Sequence, residues 1–153
     1  QNDELPEWHH TSTRQNVRLK IMYQRKANQA YQQVNLESEI TNASPYQLIR
    51  ILFNGALSAL RRSEIFMEQN DIAAKGKELS KAINIIDNGL KQALDYDAGG
   101  ELAHNLASLY DYMIMRLLNA NIENNVTYVK EVYQLLSDLA ATWQQIGANV
   151  DER

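Results

Sequence analysis

Residues 46–153 contain no proline, and the chain as a whole has only Pro6 and Pro45. Proline is the strongest helix breaker, so so long a proline-free stretch permits helices of several turns each. Strand signals are missing: no alternating β-branched run is bounded by tight-turn residues. The breaks that do occur are short. Ser44-Pro45-Tyr46-Gln47 reads as a capping box, with serine at the N-cap, proline at the first helical position and glutamine at the third. It opens a helix over residues 45–69. Asn70-Asp71 ends that helix, and Asp71 can cap the next, which runs to about Leu94. Asp95 to Gly100 reads as the clearest loop, followed by a third helix over residues 101–120. Asn121 to Asn125 makes the third break, and a fourth helix covers residues 126–146, with Gly147 as its C′ residue. Short connections force antiparallel neighbours, so the expected fold is all-α, an antiparallel up-down four-helix bundle with a short additional N-terminal helix.

The remaining segments divide around this bundle, assigned to residues 44–147. Residues 1–21 show no helical stripe, and their charge changes from acidic (Asp3, Glu4, Glu7) to basic (Arg14, Arg18, Lys20). They read as a flexible extension upstream of a natural start at Met22 and foreign to the native protein, with a basic arm for a partner as the rival reading. Gln1 to Glu7 is polar and acidic and does not resemble a secretory signal. Residues 22–43 form an opening segment with a short helix, and residues 148–153 a tail. In the opening segment Tyr23, Ala27, Ala30, Tyr31 and Val34 fall on one side at spacings of three and four. A helix that short is marginal in water and needs a surface to lie on.

Composition excludes several classes of chemistry. There is no cysteine, hence no disulfide, thiolate metal site or cysteine nucleophile. The net charge of −4 argues against a nucleic-acid partner, and no apolar run reaches the length of about 18 residues that a membrane span needs. Glu101-Leu102-Ala103-His104 has the Glu-x-x-His spacing of bundle di-iron sites, but it occurs once, and His104 falls opposite Leu102, away from the core stripe. His9-His10 is an isolated pair. Neither reads as a ligand set, and no nucleotide-binding or nucleophile motif is present, so the expectation is a binding protein without cofactor or catalytic residues.

The helical faces point the same way. At about 100° per residue, the second long helix carries one stripe: Ile72, Leu79, Ala82, Ile83, Ile86, Leu90, Ala93 and Leu94, with Ile85 off it. The fourth carries Val129, Val132, Leu136, Leu139 and Trp143. The first and third are over-supplied. In the third, Leu102, Leu106, Leu109, Met113 and Leu117 form one stripe, and Ala103, Ala107, Tyr110, Ile114 and Leu118 a second. In the first, Ile49, Phe53, Ala56, Leu60 and Met67 widen the stripe of Leu48, Leu52, Ala59 and Phe66. Either both helices are unusually central, or an apolar groove is left open for a partner's amphipathic helix. On the groove reading the candidate partner-binding residues are Ile49, Phe53, Leu60, Ala107, Tyr110, Ile114 and Leu118, and the opening segment (Tyr23, Ala27, Ala30, Tyr31, Val34) caps part of the groove until cargo displaces it. A helix packed permanently on the bundle is the alternative for that segment.

Particular stretches carry a resemblance. Met22-Tyr23, Ala30-Tyr31, Ala43-Ser44-Pro45, Gln47-Leu48-Ile49, Leu52-Phe53-Asn54-Gly55-Ala56, Lys81 to Leu90, Gly99-Gly100-Glu101 and Leu109 to Met113 together resemble the FliS family of flagellin-specific export chaperones. The resemblance runs from Met22 to about Ile146. It implies a helical bundle that binds the disordered C-terminal segment of flagellin in the cytoplasm, prevents premature polymerisation and delivers the subunit to the flagellar export gate. Contacts with other flagellar regulators and a homodimer are further partners it leaves open. Asn54 stands where the family usually has aspartate, and residues 1–21 have no counterpart in the family pattern. Two other function classes stand beside it: a structural or adaptor bundle that self-associates through the same patches, and a bundle enzyme with a metal.

Overall fold

A computed structural model of the chain describes residues 13–36 and 42–150. The expected character of residues 1–12, and the His9-His10 pair, lies outside the described residues. The elements are α1 (Thr13–Gln24), α2 (Ala27–Val34), α3 (Pro45–Glu68), α4 (Ile72–Asn84) continued by a π-helical segment (Ile85–Lys91), α5 (Tyr96–Glu123) and α6 (Val126–Val150). Every described element is helical, as the long proline-free stretch permits.

The helix starts follow local chemistry. Ser44 Oγ accepts the Gln47 N–H at 3.2 Å, and the Gln47 side chain accepts the Ser44 N–H at 3.0 Å, closing the capping box. Asn70 adopts a left-handed conformation (φ 56°), and Asp71 then accepts the Ala74 N–H at 3.1 Å. Asp95 caps α5 by accepting from Asp97 and Ala98, so the expected loop over 95–100 is already helical from Tyr96. The chain turns instead at Gly100 (φ 55°, ψ −131°), a conformation that glycine adopts without steric cost. At the far end α5 runs on to Glu123, so the third break shrinks to Asn124 and Asn125, with Asn124 left-handed at the C-cap.

The four long helices alternate in direction. The start of α3 lies beside the end of α6, where the Trp143 indole N–H donates to the Tyr46 carbonyl at 3.1 Å. The start of α4 lies beside the end of α5. There the buried Lys75 (3% exposed) reaches the Asn121 carbonyl at 3.1 Å and Asn124 Oδ1 at 3.2 Å. A cation at a helix C-terminus satisfies orphan carbonyls and opposes the helix dipole. Replacing Lys75 by Met keeps the apolar stem but removes these donors. It is expected to cost about 1–3 kcal/mol in urea unfolding, and an unchanged midpoint would remove the role given to Lys75.

Packing resolves the doubled stripe of the first long helix. α3 is the hub: it packs against α4, the π segment, α6, α2 and α1. A helix contacted on so many sides must be apolar over most of its circumference, and Ile49, Leu52, Ala56, Ala59 and Leu60 are all fully buried.

Several sequence expectations change. Ile85 is fully buried, because the π turn inserts an extra residue and rotates the register, bringing Ile85 and Ile86 both inward. Ile72, assigned to the core stripe, is 60% exposed at the first position of α4. Gly147 does not end the last helix, which continues to Val150 through the start of the expected tail. Its missing side chain makes room for the Tyr46 ring, which a Cβ there would overlap. Residues 13–21, expected as flexible, belong to α1, because Leu19, Met22 and Tyr23 form a small apolar cluster that the bundle buries. The single short helix expected in the opening segment is two helices, separated at Arg25 and Lys26.

Candidate partner-binding site

α1 lies across α5 and α3 at the end of the bundle where α6 finishes. Beneath it is an apolar floor made by three helices. Phe53 comes from α3, Leu102, Leu106 and Tyr110 from α5, and Leu139, Thr142 and Trp143 from α6; Leu19 and Tyr23 of α1 close it from above. The closure leaves a cavity of about 30 Å³.

Tyr23 is the centre of the contact. Its hydroxyl lies 2.6 Å from that of Tyr110, and its ring meets Trp143 edge-to-face at 5.2 Å. Trp143 in turn stacks on Tyr46 at 5.4 Å. Burial, above all, pushes the Tyr23 and Tyr110 phenols well above the ordinary tyrosine range, so both stay protonated at neutral pH and each satisfies the other.

Polar ties hold the end of α1 and the turn after it. The Arg25 guanidinium contacts Asp95 at 2.8 Å, the Asp95 N–H donates to the Met22 carbonyl at 2.9 Å, and Lys26 Nζ reaches the Leu94 carbonyl at 3.4 Å. The hydrogen bond from Arg25 is the main cause holding the Asp95 carboxyl below the usual aspartate range. A lowered pKa contributes stability above the unfolded value and loses it only as pH falls through the folded one, so this tie does not switch near neutrality.

The sequence-derived residues separate into three groups. Phe53 and Tyr110 stand together in the floor under α1. Ile49 and Leu60 are fully buried within the bundle, and Ala107 is buried. Ile114 is half-buried and Leu118 is 50% exposed, farther along α5 and turned away from the floor. Leu118 belongs to an open apolar surface that includes Met115 (50%) and Ile122 (82%). All five residues assigned to the capping segment, Tyr23, Ala27, Ala30, Tyr31 and Val34, are buried against the bundle. Asn54 is exposed on α3, and His104 is exposed and lies against Tyr96, with ring centres 4.6 Å apart.

Sequence reasoning assigned Leu102, Leu106, Leu139 and Trp143 to ordinary core stripes, and it passed over Leu19. The spacing Leu19, Met22, Tyr23 was a usable signal for α1. No signal in α5 or α6 alone says that a further helix lies across both.

A helical bundle whose apolar floor is covered by a short helix of its own chain has the form of a protein-binding module. The family model of the flagellar protein FliS matches residues 27–150. The flagellar secretion chaperone FliS of Salmonella typhimurium is 57% identical over 126 residues, covering 82% of this chain and 93% of the relative. That of Escherichia coli K12 is 48% identical over 124 residues, covering 81% and 91%. The FliS chaperone of Bacillus subtilis is 34% identical over 116 residues, covering 76% and 82%. The chain belongs to the FliS family.

Proposed function

We propose that the chain is a flagellar export chaperone that binds the C-terminal segment of flagellin in the cytoplasm, keeps it from polymerising early and presents it to the export gate. Its relatives, flagellar secretion chaperones, support the class. The observation that carries the cargo reading is the apolar floor of Phe53, Leu106, Tyr110, Leu139 and Trp143, covered by a short helix of this chain. A surface that accepts one such helix can accept another. No helix among the described residues is long and apolar enough to cross a membrane. Binding alone protects the cargo, so no nucleotide or catalytic group is needed, and coupled folding of a disordered segment keeps the affinity moderate enough for release.

Cargo contact is placed on the floor under α1, including Phe53 and Tyr110, and on Ile114 and Leu118 beyond it. Ile49, Leu60 and Ala107 support these positions from within the bundle. Of the capping segment, Tyr23 is the residue on the floor, and α1, which carries it, supplies the competitor. Calorimetric titration with a flagellin C-terminal peptide tests the reading. Binding with a negative heat-capacity change and little salt dependence is expected for an apolar contact. Ile114→Asp is expected to weaken it about tenfold or more while leaving the helical circular dichroism intact, because Ile114 is only half-buried. Unfolding of that variant would place Ile114 in the core and remove it from the site.

A second reading has its own observation. Ile72, Met115, Leu118 and Ile122 are all at least half exposed. Single apolar residues on a surface are ordinary, but large ones in number mark association sites. Self-association through them predicts a light-scattering mass above the monomer that flagellin peptide does not change. A chaperone predicts a complex mass that appears only with peptide.

A further inference from the structure

We propose that the cleft between α3 and α4, just past the end of α2, docks an acidic segment of a second protein, one that carries an apolar side chain between its carboxylates. This goes beyond the cargo reading and does not depend on it, because the cleft shares no residue with the floor under α1.

The cleft begins where α2 stops. α2 packs against α3 and the π segment, burying Ala27, Ala30, Tyr31 and Val34. The fit is close: a Cβ on Gly89 would stand 3.0 Å from Val34 Cγ1. Asn35 then takes a left-handed conformation (φ 55°) and ends the helix. Leu36 and Ile85 meet over Gly55, where a Cβ would stand 3.6 Å and 3.3 Å from them, respectively. Beyond Leu36 the groove between α3 and α4 is open. It forms a cleft of about 560 Å³, within the roughly 300–1,000 Å³ of ligand sites.

Two kinds of surface line it. Val34, Leu36 and Ile85 give an apolar base, and Arg62, Lys77 and Lys81 give a basic rim. Glu78 is the one acid among the lining residues, and Arg62 already holds it at 3.0 Å. Lys77 and Lys81 are exposed and stand one helical turn apart on α4. Among the described residues neither forms an ion pair. Like charges at that spacing repel and weaken the helix, and a carboxylate placed between them relieves the repulsion. The chain as a whole carries a charge of −4, so this local excess of cations runs against its overall balance.

The lining therefore selects by chemistry. Carboxylates complement the rim, and the base takes a side chain such as leucine between them. A nucleic-acid backbone fits less well, because it brings no apolar side chain and its phosphates would meet Glu78.

Fluorescence anisotropy on the full chain tests the site, with a labelled synthetic peptide of repeated Glu-Leu-Glu units as the probe. Binding that weakens as salt rises is expected, since the rim charges are exposed. Lys77→Glu together with Lys81→Glu is expected to weaken it about tenfold or more, because each reversal turns an attraction into a repulsion. Both positions are exposed, so the fold is expected to survive, which circular dichroism checks. Arg50→Glu with Lys130→Glu makes the same change in net charge on exposed residues outside the cleft. That pair is expected to leave the affinity within about twofold, because distant charges are screened. A Glu-Ser-Glu peptide is expected to bind about tenfold more weakly, having lost its apolar anchor. Absence of binding overturns the proposal, as does an equal loss in the two variant pairs or equal affinity for the serine peptide. Tighter binding of a polythymidine strand overturns it in favour of nucleic acid. Competition by flagellin C-terminal peptide makes the cleft part of the cargo path and overturns the separate partner.

Discussion

Removal of residues 1–24 is expected to tighten binding of flagellin's C-terminal segment by about tenfold or more, with the bundle still folded. On the displacement reading the helix removed is the competitor: it holds Leu19, Met22 and Tyr23 against the floor, and cargo would have to displace those contacts before making its own. A binding-competent state populated at one part in ten lowers apparent affinity tenfold, which corresponds to only about 1.4 kcal/mol of net docking free energy. Three buried side chains supply more than that in gross terms. Ordering a twelve-residue helix that is marginal by itself offsets most of the gain. The truncated chain also exposes Phe53, Leu106, Tyr110 and Trp143, so self-association at high concentration is a second expected result. Calorimetry against the full chain and light scattering measure both. Unchanged affinity would sink the displacement idea. Loss of the cooperative unfolding transition would show that α1 belongs to the core. Extending the deletion through residue 34 is a harsher test, since it also removes Val34 from Gly89 and Leu52.

Tyr110→Ala is expected to give the largest loss of stability among single changes at the site, about 3–5 kcal/mol in urea unfolding. Tyr110 is fully buried at the meeting point of α1, α3 and α6, so truncating its ring leaves a large cavity among them. Its hydroxyl is the partner of Tyr23, whose oxygen is then left buried without a hydrogen bond. Tyr110→Phe isolates that second part and is expected to cost about 1–3 kcal/mol, mostly by orphaning Tyr23. In a chain already lacking residues 1–24, Tyr110→Phe should cost much less, because Tyr23 is gone and water reaches the ring. Equal costs in the two backgrounds would mean that the Tyr23–Tyr110 pair contributes nothing to holding α1.

The two outcomes bear on one design. The floor is apolar, and the aromatic residues around it carry a polar edge. Tyr23, Tyr46, Tyr110 and Trp143 bury large rings yet keep hydroxyl and indole groups with partners. Among the described residues no buried side-chain polar atom lacks a hydrogen bond. The buried polar groups of the described residues are thus satisfied with α1 in place.

What the sequence by itself determined was whatever depends on near neighbours. The capping box at Ser44, the break at Asn70 with Asp71 as the next cap, and the absence of proline after Pro45 are local, and they place the helices within a few residues. The family motifs are local too, and the family is legible from them. Tertiary structure decided the rest, because each remaining question asked which element lies against which. Ile85 looked misplaced until the π turn rotated it inward, and Ile72 looked like core until the bundle ended beside it. Gly147 looked like a helix stop, but the Tyr46 ring, distant in sequence, needs its space. The doubled stripes of α3 and α5 are apolar surface beyond what one bundle face needs. Their use could not be read from periodicity: α3 spends its excess as the hub of the bundle, and α5 divides its own between the floor under α1 and the open surface at Leu118. A helical wheel records how much of a helix is apolar, while only the packed chain records what faces it.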